Sequence, residues 1–153
     1  MAAKPRRVSK HRTGSAPFLR ARELDHVNVK VSDMTASLDF YVGFLGLSKD
    51  WEELDAAGEP DFVQLRAGSQ MFFLSRNRDY RPPPAVPDRG LNHVCVVVEP
   101  VDVDALLAEA ERRGVPVRTR AARRRDERGD SVSTYVEDPD GHGVEIKQYA
   151  DPA

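Results

Sequence analysis

Leu24-Asp25-His26-Val27-Asn28-Val29-Lys30-Val31 aligns with Leu91-Asn92-His93-Val94-Cys95-Val96-Val97-Val98, 67 residues later, matching Leu, His and three valines. Both stretches alternate apolar and polar side chains as half-buried strands do. A helix signal follows each. After the first, Ser32 or Asp33 can cap, Met34, Leu38, Tyr41, Val42 and Leu45 make an apolar stripe, and Gly46 stops it. After the second, Asp102 can cap, Val103, Leu106, Leu107 and Ala110 make the stripe, and Gly114 with Pro116 end it. Three more strands are expected behind each helix: roughly 47–54, 61–66 and 70–76, then 115–120, 131–137 and 143–149, the last pair joined by the turn Asp138-Pro139-Asp140-Gly141. The chain therefore reads as two copies of a βαβββ unit, an α+β fold.

Composition sets the frame around this duplication. The 153 residues, 40% of them apolar, suffice for one ordinary core but not for two large domains. No run of eighteen apolar residues occurs and the mean hydropathy is −0.55, so no membrane span is expected. The single cysteine, Cys95, excludes an internal disulfide framework and suits a reducing compartment; a cytoplasmic location is the expectation. Residues 1–22 carry seven Lys or Arg and no acid, leaving 16 basic against 25 acidic side chains in the rest, a net of −9. An acidic body is poor at binding phosphate backbones, so no nucleic-acid partner is expected. The basic extension lacks the apolar stretch of a secretory signal, although its arginines and lack of acids also fit an organelle transit peptide. The resulting division is an extension at 1–22 and one domain at 23–150. Modules 23–76 and 91–150 make that domain, joined by a Pro-rich connector, 77–90, that contains Arg81-Pro82-Pro83-Pro84-Ala85-Val86-Pro87.

Alternation also sorts the polar candidates. In the first strand Val27, Val29 and Val31 must face the helix, which turns His26, Asn28 and Lys30 to the other side. In the fifth, Val94, Val96 and Val98 take the helix side and leave His93, Cys95 and Val97 opposite. In the last strand Val144 and Ile146 pack while Glu145, Lys147 and Tyr149 face away, and Ser131, Ser133 and Tyr135 share one face of the strand before. His26, His93, Glu145 and Tyr135 are thereby candidates to converge. Two imidazoles and a carboxylate suit a divalent ion, Fe(II) first, with Mn(II), Zn(II), Ni(II) or Co(II) as alternatives. An inward Glu145 without such a partner would be an expensive buried charge.

The pattern L-D-H-V-N-V-K-V-S-D-M, L-D-F-Y and L-G-L, then L-N-H-V-C-V-V-V-E, then Y-V-E-D-P-D-G-H-G-V-E resembles the vicinal oxygen chelate superfamily, spanning Leu24 to Tyr149. That superfamily includes glyoxalase I, bleomycin- and fosfomycin-resistance proteins and extradiol dioxygenases. The resemblance implies paired modules forming a cup-shaped mixed sheet, often in a homodimer, with a divalent metal chelated by two neighbouring oxygens of a small-molecule substrate. By motif match, His26, His93 and Glu145 take the metal-ligand positions. The fourth ligand of glyoxalase I falls on a strand reading Gln70-Met71-Phe72-Phe73-Leu74, where only Gln70 has a donor. The extradiol dioxygenases carry a tyrosine ten residues before the Glu, as Tyr135 stands before Glu145, which implies a catalytic role for Tyr135. Their additional acid–base histidine has no obvious counterpart, since the remaining histidines are His11, in the extension, and His142, in a turn read as solvent-facing.

The expected activity is therefore metal-dependent and dioxygenase-like. The alternatives are a glyoxalase-type lyase, a fosfomycin-type thiol transferase and a non-catalytic drug-binding resistance protein. Arg123-Arg124-Arg125-Asp126-Glu127-Arg128-Gly129 reads as a charged loop, with an anion-contacting lid as the alternative. Trp51, Phe72 and Phe73 are candidates for an aromatic pocket, with core packing the alternative for the Phe pair. Cys95 lacks an evident base for nucleophilic work.

Overall fold

Two runs of β-branched residues at the repeat positions become the parallel partners of two matching sheets. A computed structural model describes residues 24–81, 91–126 and 128–149; the basic extension with His11, the connector prolines and Glu127 lie outside the described residues. The first module consists of β1 (His26–Val31), α1 (Met34–Leu38, continued as a π-helical segment, Asp39–Phe44), β2 (Ser48–Leu54), β3 (Pro60–Ala67) and β4 (Gln70–Arg76). The second consists of β5 (Val94–Val97), α2 (Val103–Arg113), β6 (Val117–Asp126), β7 (Gly129–Glu137) and β8 (Gly143–Tyr149). The sheet orders are β1-β4-β3-β2 and β5-β8-β7-β6, each with one parallel pair and two antiparallel pairs. This is the α+β, cup-like arrangement of paired βαβββ modules that the repeat predicts.

Local chemistry accounts for the boundaries. Asp33, not Ser32, caps α1 by accepting from the Ala36 amide at 3.0 Å, and Asp102 caps α2 through the Ala105 amide at 2.9 Å. α2 stops where Gly114 adopts φ 68°, a left-handed conformation that glycine enters without a Cβ clash. The predicted charged loop is instead the end of a hairpin. Arg123, Arg124 and Arg125 continue β6 and pair with Val132, Ser131 and Asp130, and the opposed Arg125 and Asp130 side chains meet at 2.9 Å. Cross-strand pairing outweighs the loop-like composition there.

One continuous core joins the modules. Val29, Val31, Phe40, Tyr41, Leu65 and Leu74 of the first contact the same buried cluster as Val96, Val136, Val144 and Ile146 of the second. The 138–142 turn locks this packing with polar contacts. The buried Asp138 carboxylate accepts from the Tyr41 hydroxyl at 2.8 Å, from His142 Nδ1 at 2.8 Å, and from the Asp140 and His142 amides. Asp140 accepts from the Ser32 hydroxyl at 2.6 Å and amide at 2.9 Å, and His142 Nε2 meets the Tyr80 hydroxyl at 2.9 Å. His142 is therefore half-buried between the modules, not solvent-facing as its turn position suggests.

Two outcomes are expected from this junction. Tyr41→Phe deletes a bond to a buried carboxylate and should lower unfolding free energy by about 1–3 kcal/mol in denaturant titration. Hydrogen bonding to Asp138 raises the His142 pKa above its ordinary value, against the opposing effect of burial. Protonated His142 therefore favours the folded state. That stabilisation is fully present below pH ~6.5 and is lost as pH rises through the raised pKa. The Tm difference between the parent and His142→Gln should accordingly be largest near pH 6 and shrink toward pH 9.

Candidate functional site

Glu145 is the most demanding residue on the open face of the second sheet, because only 5% of it is exposed. β8 places it beside Cys95 of β5 and opposite Tyr135 of β7. Its Oε1 accepts from the Ser133 hydroxyl at 2.6 Å, its Oε2 stands 2.9 Å from His93 Nε2, and Lys147 Nζ lies 3.8 Å from Oε1. Burial pushes its pKa up. Bonding from Ser133 and Tyr135 and the charges of Lys147 and His93 outweigh burial and hold the carboxyl below its usual range. The Tyr135 ring meets His93 edge-on, centroids 5.4 Å apart.

His93 is oriented by its own predecessor. Nδ1 lies 2.7 Å from Asn92 Oδ1, an oxygen that only accepts, so Nδ1 donates there and Nε2 is the nitrogen turned toward Glu145. An imidazole nitrogen and a carboxylate oxygen 2.9 Å apart share a positive centre between or beside them, either a proton or a metal ion. Two ligands bonded to one ion at right angles stand about 3 Å apart, so the pair has the spacing of adjacent metal ligands. Gly143 makes the approach possible: a Cβ there would stand 2.5 Å from the Asn92 carbonyl oxygen and 3.2 Å from His93 Cβ.

His26 repeats half of this pattern on the other sheet. Its Nδ1 bonds Asp25 Oδ1 at 2.6 Å, leaving Nε2 available, and its ring stacks on Phe73 at 4.3 Å. The registers equate Phe73 with Glu145, since Phe73 pairs with Asn28 two residues after His26 and Glu145 pairs with Cys95 two residues after His93. The position that would supply a further carboxylate is thus an aromatic ring, which also packs edge-on to Phe62, itself beside Trp51. Phe72 points the opposite way into the core, so half-buried Phe73 and Phe62 and exposed Trp51 form the open aromatic face.

A single chain therefore unites His93, Glu145 and Tyr135, while His26 stands on the first sheet. Among the described residues no three His, Cys, Asp or Glu side chains of one chain are grouped to hold an ion. Sequence alone gives Ser133 a place on the face of Tyr135 but no partner, and gives Asp25, Asn92, Gly143 and Phe62 no role in the site. The repeated Asp-His and Asn-His dipeptides were a usable signal for Asp25 and Asn92. Cys95 is a poor nucleophile, because burial and the Glu145 charge push its thiol up to about 11. The cleft of about 560 Å³ between the helical segment 34–44 and the 138–141 turn contains none of these residues.

This fold, with a histidine–glutamate pair on the open face of its second sheet, defines a class. A family model described as the Glyoxalase/Bleomycin resistance protein/Dioxygenase superfamily matches residues 23–146. The chain belongs to that superfamily, the vicinal oxygen chelate group. It is 30% identical over 134 residues to the glyoxalase domain-containing protein RDO1 of Mycosarcoma maydis, covering 87% of this chain and 72% of that protein. It is 25% identical over 127 residues to the virulence protein STM3117 of Salmonella typhimurium, covering 82% and 83%. The crystal structure of STM3117 shares its fold at TM-score 0.60 and 24% identity, over 86% of this chain and 100% of that one. A glyoxalase/dioxygenase from Nostoc punctiforme does so at TM-score 0.68 and 22% identity, over 91% and 100%. No helix among the described residues is long and apolar enough to cross a membrane.

Gly143→Ala tests the geometry. The added methyl must displace the backbone at Asn92, so His93 should move off Glu145, and the His93 ring resonances in a two-dimensional NMR spectrum should shift although the chain still folds.

Proposed function

We propose that this chain is a divalent-metal-dependent enzyme, dioxygenase-like, acting on a small substrate that chelates the ion through two neighbouring oxygens. His93 and Glu145 hold the ion together with His26. The observation that carries the reading is the buried Glu145 oxygen 2.9 Å from an imidazole nitrogen whose partner nitrogen is already satisfied. A bound ion of the Fe(II) type would supply a positive template for substrate oxygens and electrons for dioxygen chemistry. Ser133 holds Glu145 in place, and Asn92 and Asp25 fix the tautomers of the two histidines. Tyr135, whose hydroxyl oxygen accepts from Arg124 Nε at 3.2 Å, keeps its own proton for the site and serves in proton transfer to or from the substrate. Phe73, Phe62 and Trp51 offer the wall for an apolar or aromatic substrate.

His26 reaches the other two ligands in a homodimer, when the first module of one copy faces the second module of another. β1 and β5 are both edge strands, and Leu24, Leu91 and Val97 beside them are exposed.

The experiment that tests this reading is metal analysis of the purified chain combined with oxygen uptake over a panel of catechols. Iron with uptake supports it; a chain that takes up none of iron, manganese, zinc, nickel or cobalt when incubated with their divalent salts would sink it, and zinc, nickel or manganese without uptake favours the lyase or transferase alternative. Glu145→Gln should lose metal. Tyr135→Phe should keep metal and lose about 10²–10⁴-fold in turnover. Turnover at the parent rate would make Tyr135 structural. If two copies build each site, His26→Ala and Glu145→Gln chains, each inactive alone, should regain about a quarter of parental activity when refolded together, because half the dimers then carry one intact site.

A further inference from the structure

We propose that the substrate carries an acidic group, carboxylate or phosphate, besides its chelating oxygens, and that Arg124 and Ser131 form the subsite that holds it. The inference rests on the metal-chelate reading of Glu145 and His93.

Arg124 lies on β6 directly opposite Ser131 of β7, so both side chains emerge on the face that carries Ser133, Tyr135 and Glu145. The guanidinium reaches along that face. Its Nε donates to the Tyr135 hydroxyl at 3.2 Å and its carbon stands 5.4 Å from the Tyr135 ring centroid. One phenol thus separates it from the carboxylate opposite Tyr135. Nη1 donates to the Arg123 carbonyl at 3.3 Å, so the hydrogen-bond partners of Arg124 among the described residues are neutral oxygens. Arg118 and Arg125 on the same strand instead donate to Glu137 and Asp130.

Ser131 supplies the second, independent observation. It is only 5% exposed, and its hydroxyl has no hydrogen-bond partner among the described residues. A buried hydroxyl left unpaired costs free energy that a neighbouring acceptor recovers. A carboxylate or phosphate oxygen between Ser131 and the Arg124 fork would satisfy both groups at once. Lys147, on the same face, is offset by Asp126 at 2.9 Å and Glu145 at 3.8 Å, which leaves Arg124 as the cation for the incoming acid. An acid placed there lies along β7 from Tyr135.

Calorimetric titration of the full chain loaded with zinc, which binds diols without redox turnover, compares catechol with 3,4-dihydroxybenzoate. The acid should bind about tenfold or more tightly than catechol. Arg124→Gln should bring the ratio of the two Kd values toward one, Arg124→Lys should restore part of it, and Ser131→Ala should reduce it. Arg123→Gln, the same charge loss on the opposite face of β6, should leave it. Equal affinities in the parent, an unchanged ratio in Arg124→Gln, or an equal loss in Arg123→Gln would overturn the subsite while leaving the chelate reading intact. If neither diol binds, the chelate reading fails, and benzoate and inorganic phosphate then decide the subsite. Binding of either that is lost in Arg124→Gln sustains it and identifies which acid it takes; no binding of either overturns it.

Discussion

A carboxylate removed from water must be met by donors from whatever chain segments can reach it, and Asp138 is met from both modules. Tyr41 comes from the helix of the first unit, His142 and two amides from the turn of the second. The cost of burying Asp138 without them is what makes the arrangement specific, since an apolar contact alone would tolerate sliding. Asp140 and Ser32 repeat the device beside it, and Tyr80 ties in the segment after β4 through His142. The orientation of the two sheets, and with it the placement of both histidines, depends on this junction.

The same rule operates in the site with the opposite purpose. Glu145 is about as buried as Asp138, yet the second oxygen of its carboxylate faces an imidazole nitrogen rather than a backbone amide. Asp138 is a satisfied structural anion, whereas Glu145 stands on the open face against an imidazole. Duplication exposes this difference, because the first module carries the corresponding histidine with Phe73 in place of the glutamate. One half carries a buried carboxylate at this position and the other an aromatic ring. The two repeated units thus differ at this position, one open face charged and the other aromatic.

How much of this was legible in the chain depends on which interactions decide each feature. The repeat of Leu-Asp-His-Val and Leu-Asn-His-Val, the valine alternation and the Asp102 and Gly114 signals were local, and each appears where the pattern puts it. The convergence of His93, Glu145 and Tyr135 was readable for the same reason, since strand pairing preserves a two-residue period across neighbours. His142 was misread as a turn residue facing water because its partners, Asp138 and Tyr80, include one 62 residues away. The arginine run was misread as a loop because composition does not report the strand opposite it.

The sequence by itself determined the two βαβββ units, which side of each strand meets a helix, and which residues are available for metal chemistry, because these follow from backbone periodicity and residue type. Only the tertiary structure decided that Phe73 rather than a carboxylate faces His26, that Asn92 and Asp25 set the imidazole tautomers, that Gly143 admits β5 close enough for His93 to meet Glu145, and that Ser131 is left unpaired beside Arg124. Those outcomes depend on distances of 2.5–4.3 Å between residues brought together by sheet register and module packing, which no local pattern encodes.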